Sequence, residues 1–195
     1  YSPASKSIYS EIVKLDAASY LEFHPTTGKC KIYKFWSIEN QLHQANKLPH
    51  RSDEYLVSKL ETLLEDAIDK QLNADVPVGM LLSGGLDSSL LVGLAARNHD
   101  NLNTFNVAFK EHPSFDESSH AKLIANSFNC NHHEIEASSI DPSMFEKLSE
   151  FYDEPMFDTS MLPTYVLSEA VSKHCKVAIG GDGGDELFGG YPHYS

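Results

Sequence analysis

Seven consecutive residues, Ser83-Gly84-Gly85-Leu86-Asp87-Ser88-Ser89, carry groups suited to holding an anion. Two glycines let a backbone approach such a ligand closely, and small hydroxyls at 83, 88 and 89 can donate to its oxygens. The apolar run Val78-Gly79-Met80-Leu81-Leu82 precedes them and Leu90-Leu91-Val92-Gly93-Leu94-Ala95-Ala96 follows, so the order reads strand, glycine turn, helix. The opening turn of that helix offers unpaired N–H groups and the positive end of the helix dipole. Asp87 would repel phosphate unless a metal ion bridged the two, which makes it a candidate metal ligand.

A second constellation lies near the other end. After Val177-Ala178-Ile179 comes Gly180-Gly181-Asp182-Gly183-Gly184-Asp185-Glu186-Leu187-Phe188-Gly189-Gly190-Tyr191, six glycines with three carboxylates among them. So many glycines are costly in backbone entropy, and a closely approached ligand would account for them. Asp185 then pairs with Asp87 as a metal ligand, and Asp182 serves as a base or as a carboxylate that orients a substrate.

The elements that must position these loops follow from periodicity. Strands are expected at 77–82, 103–109, 132–136 and 176–180, and helices at 88–98, 115–128, 142–151 and 161–174. Ser114 with Glu117 reads as a capping box for the second of these helices, whose inner face is Ala121, Ile124, Ala125 and Phe128. Pro163 fits a first helical turn. A longer helix begins at Ser52 or Asp53, with Leu56, Leu60, Leu63, Leu64, Ala67, Ile68 and Leu72 at three- and four-residue steps, and its acidic residues read as a solvated face. Before it, 20–23 and 31–35 suggest a hairpin across Pro25-Thr26-Thr27-Gly28, and 39–47 reads as a polar linker. Alternating strands and helices give an α/β fold with a doubly wound parallel sheet, ligands binding outside the carboxyl ends of the strands.

Composition narrows the function classes. The chain has 195 residues, 41% hydrophobic and 22% charged, which is ordinary for a globular protein. A formal net charge of -13 disfavours broad nucleic-acid contact. Cys30, Cys130 and Cys175 form no metal-binding or paired pattern and read as reduced thiols of a cytoplasmic protein. There is no long apolar run, so no membrane span is expected. His132 and His133, adjacent on a strand, face opposite sides and cannot readily chelate one ion.

The first loop lacks the Gly-Lys-Ser/Thr of a Walker loop and resembles, as SGGLDSS, the signature of the PP-loop ATP pyrophosphatases. Together with Asp153-Glu154-Pro155-Met156-Phe157-Asp158-Thr159-Ser160 and GGDGGDELFGGY, it resembles the synthetase domain of the glutamine-hydrolysing asparagine synthetase family, from about residue 75 to Tyr191. The runs Tyr20-Leu21-Glu22-Phe23 and Tyr33-Lys34-Phe35-Trp36 are similar to the closing strands of that family's glutaminase domain. The domains expected are thus 1–50, the end of a glutaminase domain with its linker, and 51–195, an ATP-binding synthetase domain.

This resemblance implies ATP and Mg²⁺ as cofactors. It implies adenylation of the aspartate side chain and attack by ammonia from glutamine, giving asparagine. Carried over residue by residue, Leu82, Ser83, Gly84, Gly85, Leu86, Asp87, Ser88, Ser89, Val107, Gly180 and Gly181 would contact the nucleotide, Asp87 and Asp185 would hold the metal, and Asp182 would be catalytic. Some members have glutamate where this chain has Asp182, and one methylene less shortens the reach by about an ångström. The rest of the glutaminase domain with its cysteine nucleophile, a catalytic lysine and part of the acid pocket are expected outside these residues. Other acids, such as a cell-surface sugar or a β-lactam precursor, are alternative substrates, and a tRNA-thiolating enzyme or a non-catalytic nucleotide-binding domain are alternative readings. Self-association as a homodimer is left open.

Overall fold

The computed structural model describes residues 5–45, 47, 49–111, 113, 114, 116–136, 143–152, 154–156, 158 and 160–194. It divides into two compact units, Tyr1–Ser52 with Pro142–Asp158, and Asp53–Asp141 with Thr159–Ser195. In the first, β1 (Ser19–His24) and β2 (Lys29–Lys34) pair antiparallel with Ser19 opposite Lys34, and Tyr20 stacks on Tyr33 with ring centroids 5.0 Å apart. This is the expected hairpin. The expected linker is instead a helix, α1 (Ile38–Ala45), because Ser37 Oγ accepts from Asn40 N–H at its start and Glu, Gln, Leu and Ala are good helix formers. The same unit holds α5 (Ser143–Phe151), and Lys14 Nζ meets Glu154 Oε2 at 2.6 Å. Of the motif spanning 153–160, Asp153, Phe157 and Thr159 lie outside the described residues.

The second unit carries the parallel sheet. Its strands are β3 (Val78–Leu81), β4 (Asn103–Ala108), β5 (Asn131–Glu136) and β6 (Val177–Ile179), in the order β5-β4-β3-β6. One face packs α2 (Asp53–Leu72), α3 (Leu86–Ala95) and α4 (Ser118–Ser127), burying Ile68, Met80, Leu82, Val92, Ala95, Ala121 and Ala125 together. The other face packs α6 (Met161–Val171), where Phe105, Val171 and Cys175 are buried. Helices on both faces of a parallel sheet make the doubly wound α/β architecture expected. Among the described residues no helix is long and apolar enough to cross a membrane.

Two helices differ from expectation. In α4 the expected capping box is absent: the helix starts after Glu117, and the Asp116 carboxylate, not Ser114, accepts from Ser118 N–H at 3.1 Å and Phe109 N–H at 3.4 Å. These bonds hold the Asp116 carboxyl below its ordinary value. On α2 only Ile68 is buried, with Leu64 and Leu72 packed beside it, while Leu56, Leu63 and Ala67 are exposed. Its acidic face is at the surface, as expected, and carries exposed ion pairs. Glu61, Glu65 and Asp69, four residues apart, meet the end of α3, where Arg97 Nη1 lies 2.5 Å from both glutamates and His99 Nε2 lies 2.9 Å from Asp69.

Gly79 shows how tightly the α6 face is filled. A Cβ there would stand 2.5 Å from Phe105 Cε2 and 2.9 Å from Cys175 Sγ, both buried. Replacing Gly79 by Ala is therefore expected to cost about 1–3 kcal/mol in urea unfolding, and trimming Phe105 to Leu in that background should restore part of it.

His132 and His133 do turn to opposite sides. His132 Nδ1 lies 2.9 Å from Thr104 Oγ1, whereas the His133 ring stacks on Phe105 at 4.8 Å and meets His174 at 4.5 Å. Burial lowers both from the ordinary 6.5, helped at His133 by the neighbouring His174. The unfolded chain then binds protons more readily than the fold, so stability is full above 6.5 and is lost as the pH falls below it. Urea midpoints taken on either side of that pH should show a smaller acid loss for His133→Gln than for the wild type.

Candidate functional site

The parallel pairing of β3 with β6, Val78 opposite Val177 and Met80 opposite Ile179, sets both glycine loops side by side at the carboxyl ends of the strands. From β3 the chain winds outward through β4 to β5 and then returns to the other side of β3 as β6. A crevice opens at such a reversal.

The first loop is tied down by its own hydroxyls. Ser88 Oγ accepts from Ser83 N–H at 3.2 Å and lies 3.0 Å from Ser83 Oγ, which accepts from Gly85 N–H at 3.2 Å. The expected phosphate-facing hydroxyls of Ser83 and Ser88 thus also hold the turn, while the buried Ser89 Oγ has no partner. Gly84 takes φ +86° and lies so close to α4 that a Cβ would stand 2.7 Å from Ala121 N and His120 Cβ. Both the conformation and the space require glycine. The first intrahelical bond of α3 runs from Ser89 N–H to Gly85 O, so the N–H groups of Leu86, Asp87 and Ser88 open the helix ahead of it.

The second loop docks onto the first. A Cβ on Gly181 would sit 3.2 Å from Asp87 Cβ and Ser88 N, and one on Gly184 would overlap the Asp87 carboxylate. The short α7 (Gly184–Phe188) then carries Asp185 and Glu186. Gly181, expected against a nucleotide, therefore also makes room for Asp87, and so does Gly184. Asp182 folds back over Gly180, its Oδ2 2.7 Å from where a Cβ on that residue would be.

Between the loops lies an open bowl of about 710 Å³. Ser83, Gly85, Leu86, Asp87, Ser88, Gly180, Gly181, Asp182 and Asp185 all line it. Gly84 and Ser89 do not, and Leu82 and Val107 line a separate slot of about 210 Å³. Phe109 with Pro163 and Leu167 of α6 completes the slot's apolar walls. Leu81 and Ser83 border both cavities, so slot and bowl adjoin.

Four carboxylates, of Asp87, Asp182, Asp185 and Glu186, line the bowl, and none of its described lining residues is basic. These residues can meet a polyanion through backbone N–H groups, serine hydroxyls and a bridging cation. Carboxylate oxygens suit a hard divalent ion. Among the described residues no three His, Cys, Asp or Glu stand together as a metal cluster.

Glu186 and Tyr191 were not singled out from the sequence as site residues, although both lie in the glycine-acid run. Tyr191 Oη donates to Glu186 Oε1 at 3.0 Å, and that bond, with the charge behind it, raises the Tyr191 hydroxyl above its ordinary value of 10.0. In a pH titration followed by NMR of ring-labelled tyrosine, Glu186→Gln should bring the Tyr191 transition back down.

The chain is similar to known proteins throughout. A family model described as "Asparagine synthase" matches residues 59–195. A putative glutamine-hydrolysing asparagine synthetase 2 of Methanocaldococcus jannaschii is 36% identical over 192 residues, 97% of this chain and 36% of that protein. Asparagine synthetase 1 of Bacillus subtilis is 36% identical over 156 residues, covering 77% of this chain and 24% of its own length. The amidase chyE of Penicillium rubens is 33% identical over 175 residues, 80% of this chain and 25% of that protein.

Proposed function

Because this chain belongs to the asparagine synthase family, we propose that it is the ATP-consuming part of an amide-forming ligase that transfers AMP to a carboxylic acid and releases pyrophosphate. The observation that carries this reading is the meeting of Asp87 and Asp185 in one bowl with the first turn of α3. The phosphates lie along Ser83–Ser89, bonded by backbone N–H groups at the positive end of the helix. Leu82 and Val107 flank the base in the adjoining slot, and Gly180 with Gly181 lies at the ribose. Asp87 and Asp185 would hold Mg²⁺, which when bound would supply charge neutralisation for the departing pyrophosphate.

In the first step an oxygen of the acid attacks the α-phosphorus, the bond to the bridging oxygen breaks, and its electron pair leaves with pyrophosphate. The chain supplies in-line positioning and electrostatic stabilisation and no covalent nucleophile. Asp182 orients the second reactant, ammonia released from glutamine, which attacks the acyl carbon and expels AMP. Residues 1–50 are read as the end of the glutaminase domain that supplies that ammonia. Aspartate is the acid, and asparagine the product, on the names of the relatives. A second reading, the same chemistry on another acid, is favoured by the similarity to the amidase chyE.

Pyrophosphate release by the full-length protein, measured with aspartate and then with other acids, tests the assignment. Release that depends on a different acid overturns only aspartate, and release with none overturns the ligase. Asp87→Asn and Asp185→Asn should each lower release by about a hundredfold or more while melting near the wild-type temperature; unfolding of either would make its role structural.

A further inference from the structure

The opening of α4 touches both halves of the candidate site. Glu117 lines the apolar slot, and just beyond it His120 and Ala121 form the seat of Gly84, leaving no room there for a Cβ. His120 N–H and Ala121 N–H donate to Glu117 O at 3.1 and 3.0 Å, so these residues make one closed turn. Any shift of that turn moves a wall of the slot and the support of the phosphate loop together.

One side chain sets where the turn lies. Asp116 Oδ1 accepts from Ser118 N–H in α4 and from Phe109 N–H just past β4, and Phe109 is itself a wall of the slot. Both bonds are charge-assisted, and Lys110, next to Phe109, adds attraction for the same carboxylate. Ser118 is buried, so without Asp116 its N–H would be left in want of an acceptor, a cost that the turn relieves only by moving. Asp116 lines neither cavity and so reaches a ligand only through other residues. We propose that Asp116 is a positioning residue that couples the two halves of the site: by bonding α4 to Phe109 it keeps the phosphate loop and the slot in register for a single nucleotide. This inference rests on the nucleotide reading above.

Equilibrium binding of magnesium ATP, magnesium pyrophosphate and AMP to the full-length protein, well below its melting temperature, tests it. Pyrophosphate samples the loop, and AMP chiefly the slot. Asp116→Ala should weaken all three, ATP by about five- to thirtyfold. Asp116→Asn, whose amide oxygen accepts from the same two N–H groups, should restore most of that affinity. A role in stability alone would lower the melting temperature of the alanine variant and leave all three affinities of the folded protein unchanged, and that result overturns the proposal while the nucleotide reading stands. So does weakening of pyrophosphate alone or of AMP alone, which would leave the halves uncoupled, and so does an asparagine variant as weak as alanine. Failure of the wild type to bind ATP overturns the nucleotide reading and the proposal with it. Should the alanine variant not fold, Asp116→Glu, which keeps the charge but carries it past both N–H groups, must show the same weakening of all three ligands.

Discussion

Three residues of β3 paired in parallel with three of β6 bring together everything chemical in the second unit. The two glycine loops leave those strands in the same direction and have nowhere to go but against each other. Gly181 and Gly184 accept the Asp87 side chain where any larger residue would collide, so the carboxylates of the two loops share one bowl. On the proposed reading, Asp87 and Asp185 there would hold a cation brought in with its ligand.

The sheet can hold this pairing because both its faces are closed. On one, Met80 and Leu82 sink into the core made with α2, α3 and α4. On the other, Phe105 and Cys175 close over Gly79, with His133 stacked on the Phe105 ring. The same strands end in the site, so the packing that stabilises them also fixes where Leu81, Leu82 and Val107 stand. The apolar slot lies between the end of β4 and the first two turns of α6.

The strands and helices that build the site were legible because each carries a local signal of period or punctuation. So were the loops, whose glycines and carboxylates mark them out. What escaped was set by contacts between segments distant in sequence. Glu61, Glu65 and Asp69 do form a surface face, but their ion-pair partners Arg97 and His99 come from just beyond α3, about thirty residues on. Asp116 displaces the expected Ser114 cap because its carboxylate is shared between α4 and the end of β4. Residues 38–45 look like linker by polarity alone, yet a single serine at their start and the absence of glycine or proline suffice for a helix.

By itself the sequence determined the α/β class, the hairpin, the resemblance to the asparagine synthase family and the identity of the two chemical loops. These depend on residue type and spacing over a few positions, which physics reads locally. The tertiary structure decided that Asp87 and Asp185 face a common bowl, that the Ser83 and Ser88 hydroxyls tie the turn, and that Glu186 and Tyr191 join the wall. It also decided that α4 closes on the slot at Glu117 and on the phosphate loop at Gly84. Burial and proximity are properties of the closed sheet, set by which strand pairs with which, and strand order is not written in any one segment.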